Sequence, residues 1–190
     1  MRFGFKKSQT AFQTGWKNLV AIGKEGSRQH FQVLIQKEVN LAIEKYCHSE
    51  LKKEVGGVLV GREKGNEAIE ILGAVEAKYA EHQAASLTFT HQSWDYIHQV
   101  MESKYSGLKI VGWFHTHPGY GIFLSSYDIF IHENFFSLPY QVALVIDPCQ
   151  EQRGIFAWKN KKIEKLSHYW TGGTTEKVEP IELDAEEFKV

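Results

Sequence analysis

The pattern of apolar and polar positions along the chain predicts short strands that alternate with short helices. Apolar runs rich in β-branched and aromatic residues indicate strands, whereas apolar residues three or four positions apart indicate helices. Strands are predicted at residues 31–35, 55–62, 68–77, 108–117, 141–146 and 154–159, and helices at residues 37–48, 94–104 and 129–138. This order is typical of an α/β fold in which helices flank a central mixed β-sheet.

The two ends of the chain lack such sustained periods. We predict an N-terminal extension at residues 1–28, one domain at residues 29–170 and an acidic C-terminal tail at residues 171–190. The tail has the composition of a solvated segment. The aromatic residues of the extension could pack on the domain or on a partner, and we favour packing on the domain; they are Phe3, Phe5, Phe12 and Trp16.

The composition argues against several classes of protein. Hydrophobic residues make up 43% of the 190 residues and charged residues 24%, which is ordinary for a globular protein. The net charge of -1 argues against a nucleic-acid partner. No apolar run reaches about 18 residues, so we predict no membrane span. Cys47 and Cys149 make no disulfide framework and have no neighbouring base, so we expect a cytoplasmic location and no cysteine nucleophile.

Candidate chemistry is concentrated around two histidines at the end of the predicted strand 108–117. Alternate residues of a strand point to one face, so His115 and His117 can hold one metal ion. Pro118 and two glycines then turn the chain, and Ser125-x-x-Asp128 begins the next predicted helix. A carboxylate in the first turn of that helix can supply a third ligand, and catalytic zinc sites typically use three protein ligands and leave a fourth position for water.

Each part of this pattern also has a purely structural interpretation. A His-x-His sequence is common by chance in a chain with nine histidines, and Ser-x-x-Asp is also a helix cap. Glutamates usually lie on solvated faces, but the apolar run directly after Glu54 argues for burial there. The joint appearance of these elements in the expected structural context favours a metal site. Two histidines and an aspartate also admit iron, cobalt or manganese.

The run from His115 to Asp128, together with Glu54, resembles the JAMM signature of the MPN-domain zinc metalloproteases. This family, also known as JAB or Mov34/MPN/PAD-1, includes the proteasome-lid deubiquitinase and the signalosome deneddylase. Its pattern is Glu, then His-Ser/Thr-His-Pro, then Ser-x-x-Asp, and every position is filled here. The resemblance covers roughly residues 30–168 and implies the MPN fold, an α/β fold of the cytidine-deaminase-like type.

The resemblance implies a role for each of these residues. His115, His117 and Asp128 would bind Zn²⁺, Glu54 would act as the general base, and Ser125 would donate a hydrogen bond to the oxyanion. The implied reaction is cleavage after the C-terminal glycine of ubiquitin or a ubiquitin-like protein, either in a conjugate or in a precursor.

The sequence also suggests how such a substrate would bind. Gly119 and Gly121 leave room for a substrate backbone that adds a strand to the sheet. Phe89, Trp94 and Trp113 are predicted to contribute to the substrate surface, although a place in the core is at least as good an interpretation for the two tryptophans.

The family resemblance leaves the biological setting open. The compact chain and the short linker at residues 147–154 are similar to bacterial or phage members, some of which belong to ubiquitin-like conjugation or antiviral operons. Those operons also encode activating (E1-like) and conjugating (E2-like) enzymes as possible partners. Two alternatives are a hydrolase acting on a sulfur-carrier or small amino-acyl adduct in biosynthesis, and a non-catalytic MPN scaffold. A scaffold has no need of ligands, base and oxyanion donor together.

Overall fold

The computed structural model describes residues 16–24, 29–83 and 86–174, together with Leu183. The strands are β1 (Trp16–Gly23), β2 (Gln32–Gln36), β3 (Gly56–Glu63), β4 (Ala68–Glu76), β5 (Glu81–Gln83), β6 (Ser86–Thr88), β7 (Lys109–Thr116), β8 (Val142–Asp147), β9 (Gln152–Lys159), β10 (Lys162–Lys165) and β11 (His168–Thr174). The helices are α1 (Lys37–Cys47), α2 (His91–Lys104) and α3 (Ser126–Phe135). None of these three helices has the length and apolar composition needed to cross a bilayer.

Nine of the strands form one mixed sheet, in the order β1-β11-β2-β4-β3-β7-β8-β9-β10, and β5 pairs with β6 separately. Strand β2 runs parallel to both β11 and β4, and β7 runs parallel to β8, whereas the other neighbours are antiparallel. The predicted α/β fold with a central mixed sheet is therefore confirmed.

Helices cover both faces of this sheet. Along β3, Leu59 packs in the apolar cluster that contains α1, whereas Val58 and Val60 pack in the cluster that contains α2 and α3. Alternation along β8 divides its residues in the same way, because successive side chains of a strand point to opposite faces. We call these two sides the α1 face and the α2–α3 face.

The predicted strands and helices match observed ones to within a few residues. Strands β1 and β11 were not predicted from the sequence. These two strands pair with each other at one end of the sheet, within segments partly assigned to the extension and the tail. In β1 the register shifts between Lys17 and Val20, and Asn18 has a φ of 53°. Such a bulge breaks the two-residue alternation from which a strand is predicted.

Trp16 is the first residue of β1 and is half-buried, and its indole nitrogen donates a hydrogen bond to Glu70 at 2.6 Å. This residue therefore contacts the domain, as expected. Phe3, Phe5 and Phe12 lie outside the described residues, as do all the acidic residues of the tail. The domain boundaries at residues 28 and 170 stay predictions.

The second helix begins earlier than its apolar spacing predicts. Thr90 caps α2 by accepting a hydrogen bond from the backbone N–H of Ser93, and the Ser93 side chain accepts one in return from the backbone N–H of Thr90. The first turn therefore consists of polar residues that the capping box holds in place. Apolar periodicity begins only at Trp94, which is why the helix was predicted from there.

Candidate metal centre

The two histidines of the predicted motif lie side by side on the α2–α3 face. His115 is on β7, and His117 follows the end of that strand, where its backbone N–H donates to the carbonyl of Ile146 at 2.8 Å. The imidazoles are 0% and 2% exposed, and their Nε2 atoms are 3.1 Å apart. The strand geometry thus directs both Nε2 atoms to one point.

The third candidate ligand comes from the first turn of α3. Ser125 is the N-cap of this helix, and its hydroxyl oxygen accepts the backbone N–H of Asp128 at 3.1 Å. The Asp128 carboxylate accepts the backbone N–H of Ser125 at 2.7 Å in return. The same carboxylate places one oxygen 3.4 Å from Nε2 of His115 and the other 3.3 Å from Nε2 of His117. The capping box therefore holds the carboxylate against both imidazoles.

This donor set fits a zinc ion. One ligand atom from each of His115, His117 and Asp128 lies within 4.8 Å of the others, and all three residues are buried. Zinc–nitrogen bonds of about 2.0–2.1 Å in tetrahedral geometry separate two nitrogens by roughly 3.3 Å, close to the spacing observed. A buried cluster of two imidazoles and a carboxylate also supplies the ligand types that zinc prefers.

Glu54 reaches the cluster through the antiparallel pairing of β3 with β7. Gly56 pairs with His115, and the pairing continues beyond the strand ends: Thr116 donates its N–H to the carbonyl of Val55 at 2.9 Å. The N–H of Val55 donates in turn to the Thr116 hydroxyl at 2.9 Å. This register brings the Glu54 carboxylate to 3.7 Å from Nε2 of His117. No local pattern in the sequence indicates this anchoring role of Thr116.

The cluster changes the acidity of its own members. Burial raises the pKa of Glu54 to about 7, and the nearby Asp128 charge acts in the same direction. Burial also lowers the pKa of His115. For the other two residues, polar contacts outweigh the effect of burial. The pKa of His117 is raised, chiefly by its hydrogen bond with Asp128 and by the Glu54 charge, and the pKa of Asp128 is lowered by its hydrogen bonds with His115 and then His117. The pKa of Glu54 is therefore suited to the exchange of a proton near neutral pH.

A carboxylate at the end of β8 holds the loop that follows His117. Both oxygens of Asp147 accept backbone N–H groups: those of Gly119 at 2.9 Å, Gly121 at 2.7 Å, Cys149 at 2.9 Å and Gln150 at 3.0 Å. Although burial acts in the opposite direction, these hydrogen bonds hold the pKa of Asp147 below its ordinary value. Asp147 thereby fixes the turn between His117 and α3, a role that no local pattern indicated.

The aromatic residues predicted for the substrate surface separate into two groups. Trp113 is fully buried and stacks on His115 with 4.3 Å between ring centroids, so its assignment to a surface was wrong. Trp113 lies two residues before the candidate ligand His115 on β7. Its side chain therefore points to the same buried face of the sheet. Phe89 and Trp94 are half-buried and stack on each other at 5.1 Å, beside the same core.

The two cysteines lie apart from this chemistry. Cys47 is fully buried in the core on the α1 face, and burial raises the pKa of its thiol. It is therefore not available as a thiolate nucleophile. Cys149 is exposed, and the structure shows its backbone N–H bound to Asp147.

Parts of the chain are similar in sequence to known proteins. Over 102 residues the chain is 37% identical to NAD(+) hydrolase TcpA of Theionarchaea archaeon, covering 53% of this chain and 29% of that protein. Over 46 residues it is 46% identical to ubiquitin carboxyl-terminal hydrolase RPN11 of Saccharomyces cerevisiae, covering 24% of this chain and 15% of that protein. The chain thus spans less than a third of the length of either relative.

A solved structure shows the same fold. The solution structure of protein DSY2949 from Desulfitobacterium hafniense aligns with a TM-score of 0.57 at 16% sequence identity, covering 82% of this chain and 97% of that chain. The mixed sheet carries a buried His-His-Asp cluster, where a strand meets a helix, that could hold a metal ion. Residues 28–138, more than half of the chain, match the family JAB1/Mov34/MPN/PAD-1 ubiquitin protease. The chain belongs to this family.

Proposed function

We propose that the protein is a zinc-dependent isopeptidase or peptidase that cleaves after the C-terminal glycine of ubiquitin or a ubiquitin-like protein. The observation that carries this proposal is the convergence of His115, His117 and Asp128 with Glu54 beside them. Those three residues would hold the ion through Nε2, Nε2 and a carboxylate oxygen. When bound, zinc lowers the pKa of water from about 15.7 to about 7 and polarises a carbonyl oxygen.

Glu54 is proposed as the general base. Its carboxylate takes a proton from the attacking water as the water oxygen bonds to the glycine carbonyl carbon. The carbon–nitrogen bond then breaks, and the same carboxyl gives its proton to the leaving amine. A pKa raised to about 7 suits both steps, because the group can accept and release a proton with little loss of free energy.

Ser125 is proposed as the donor to the oxyanion that develops on that carbonyl. Its oxygen already accepts the backbone N–H of Asp128, so the hydroxyl proton remains available for donation. The position at the start of α3 is favourable as well, because the N-terminus of a helix attracts negative charge.

The substrate class is proposed from the family and from the space around the loop. A Cβ placed on Gly119 or Gly121 would meet no atom within 4 Å, so a substrate backbone can approach there. The name of the yeast relative, a ubiquitin carboxyl-terminal hydrolase, supports a ubiquitin-like partner. A cytoplasmic location, E1-like and E2-like partners and a role in a bacterial conjugation or antiviral operon belong to the same proposal.

The experiment compares the wild type with Glu54→Ala on a panel of ubiquitin-like fusions that extend beyond the terminal glycine. Zinc content is determined on the same samples, and Glu102→Ala, which changes an exposed glutamate of α2, is the matched control. We expect the wild type and the control to cleave one fusion, and Glu54→Ala to keep zinc without cleaving. Equal cleavage by Glu54→Ala would exclude Glu54 as the base.

Two further substrates belong in the panel. The relative named NAD(+) hydrolase shares 37% identity over 102 residues, so NAD⁺ is included. A small amino-acyl or sulfur-carrier adduct needs the same chemistry and only a different pocket. Zinc binding with no cleavage of any panel member would favour the non-catalytic scaffold instead.

A further inference from the structure

His132 is a buried imidazole to which the proposed mechanism gives no role. It lies on α3, one helical turn after Asp128, and is 0% exposed. Its Nδ1 accepts a hydrogen bond of 3.0 Å from the indole N–H of Trp113. Because an indole nitrogen can only donate, Nδ1 is the unprotonated nitrogen of this imidazole.

Trp113 connects this histidine to the metal site. One face of its indole lies against the His115 ring, with 4.3 Å between centroids and 12° between planes. The indole also stacks on Phe136, at 5.6 Å and 10°. Stacking fixes the plane of the indole, and the hydrogen bond to His132 fixes how far the indole can slide or turn within that plane.

The His115 ring depends on this support more than most metal ligands do. A ligating histidine usually donates its second ring nitrogen to a carbonyl or a carboxylate, and that bond sets the orientation of the ring. Nδ1 of His115 is buried and has no hydrogen-bond partner among the described residues. Its orientation must therefore come from packing, and Trp113 provides the most closely stacked ring.

Stability alone does not account for an imidazole at position 132. Nε2 of His132 is buried without a hydrogen-bond partner in the described part of the chain, which destabilises a folded protein. A leucine there would avoid that cost. Burial also lowers the pKa of His132 to about 4, so the ring is neutral and Nδ1 can accept a hydrogen bond at neutral pH.

We propose that His132 is a positioning residue of the metal site, which holds the Trp113 indole where its face supports the ligand His115. This inference rests on the proposed zinc site. It predicts that the hydrogen bond between His132 and Trp113 contributes to metal affinity without either side chain touching the ion.

The test is the zinc dissociation constant, measured by competition with a chelator, for variants of the intact chain. His132→Leu removes the acceptor, whereas His132→Asn keeps an oxygen near the position of Nδ1. We expect His132→Leu to weaken zinc binding about threefold to tenfold, the range of one aromatic contact, and His132→Asn to remain within about twofold of wild type. In a Trp113→Phe background, His132→Leu should have no further effect.

Two results would overturn the proposal: a dissociation constant for His132→Leu equal to that of wild type, or the same weakening in the Trp113→Phe background. Absence of zinc binding by the wild type would instead contradict the proposed function itself. If His132→Leu does not fold, His132→Asn is compared with His132→Gln, whose oxygen extends one bond further; equal affinities would then overturn the proposal. Ile43→Ala, in the core of the α1 face, controls for destabilisation and should leave the affinity unchanged.

Discussion

Each face of the sheet carries a buried apolar cluster, but the two clusters differ in the side chains that form them. On the α1 face, aliphatic and aromatic side chains pack together, and the buried Asn40 is satisfied by Tyr169 at 3.1 Å and Glu44 at 2.7 Å. On the α2–α3 face, rings stack on rings, and one imidazole nitrogen each of His115 (Nδ1) and His132 (Nε2) has no hydrogen-bond partner among the described residues.

This difference indicates that one face stabilises the domain and the other positions reactive groups. Adjacent residues of β7 show it most directly: Phe114 packs in the core beside α1, and the candidate ligand His115 lies on the opposite side. Substitutions on the α1 face should therefore change the free energy of unfolding, and substitutions on the α2–α3 face should change metal affinity and turnover.

The largest effect is expected from removing a ligand. His117→Ala leaves only two protein ligands, so we expect loss of bound zinc and of detectable cleavage. Zinc content and fusion cleavage are measured together, with His98→Ala, an exposed histidine of α2, as the control. Retention of both zinc and activity by His117→Ala would mean that the site has been assigned wrongly.

Removal of the proposed base, Glu54, should lower turnover and leave metal binding unchanged. Glu54→Gln keeps the shape of the side chain but cannot take up a proton, so we expect kcat to fall by roughly 10²–10⁴-fold with zinc content unchanged. Single-turnover cleavage and metal analysis check this prediction. A parallel loss of zinc would show that Glu54 is a ligand rather than the base.

A substitution on the α1 face should lower the stability of the domain and leave zinc affinity nearly unchanged. Phe114 is fully buried against Tyr46, with 6.0 Å between ring centroids. We expect Phe114→Ala to lower the free energy of unfolding by about 3–5 kcal/mol. The zinc dissociation constant of the folded protein should change by less than about twofold, a shift below that of one aromatic contact. Denaturant unfolding and chelator competition test the two parts, and a large loss of affinity would contradict the division between the faces.

Removal of Ser125, the proposed oxyanion donor, should have a smaller effect on turnover than removal of a candidate metal ligand. Ser125→Ala should cost about 3–4 kcal/mol of transition-state stabilisation, a loss of roughly 10²–10³-fold in kcat. Because Ser125 also caps α3, its removal should lower stability by about 1 kcal/mol. Ser125→Thr can keep both hydrogen bonds and serves as the control; equal losses for Ala and Thr would point to the shape of the site rather than to the hydroxyl.

The smallest effect is expected on the pH dependence of the free energy of unfolding of the metal-free protein. The folded pKa of Glu54, about 7, lies above the ordinary value of 4.5, so the folded state binds more protons between these values. The stability that Glu54 contributes is therefore present at low pH and is lost as the pH rises through 7, by up to about 3 kcal/mol. The free energy of unfolding of the wild type minus that of Glu54→Gln should therefore decrease as the pH rises from 4.5 to about 7. A difference that does not change with pH would contradict the raised pKa.

Local patterns in the sequence were sufficient to predict those parts of the candidate site whose residues lie close together in the chain. Alternation along β7 placed His115 and His117 on one face, and the Ser-x-x-Asp pattern placed Asp128 in the first turn of α3. Both patterns repeat over two to four residues, so they are visible without knowledge of the fold. For Trp113 the sequence left a core position and a surface position open, because apolar composition does not distinguish them, and the structure places the residue in the core.

Taken by itself, the sequence determined which residues could form a metal site and which strand and helix would carry them. The tertiary structure decided what surrounds them. Val55 and Thr116, 61 residues apart, fix the register that brings Glu54 to the site, and Asp147 and His132 reach it only through the packing of β8 and α3. Local periodicity depends on neighbouring residues, whereas strand register and side-chain packing depend on contacts between distant parts of the chain, which no local pattern encodes.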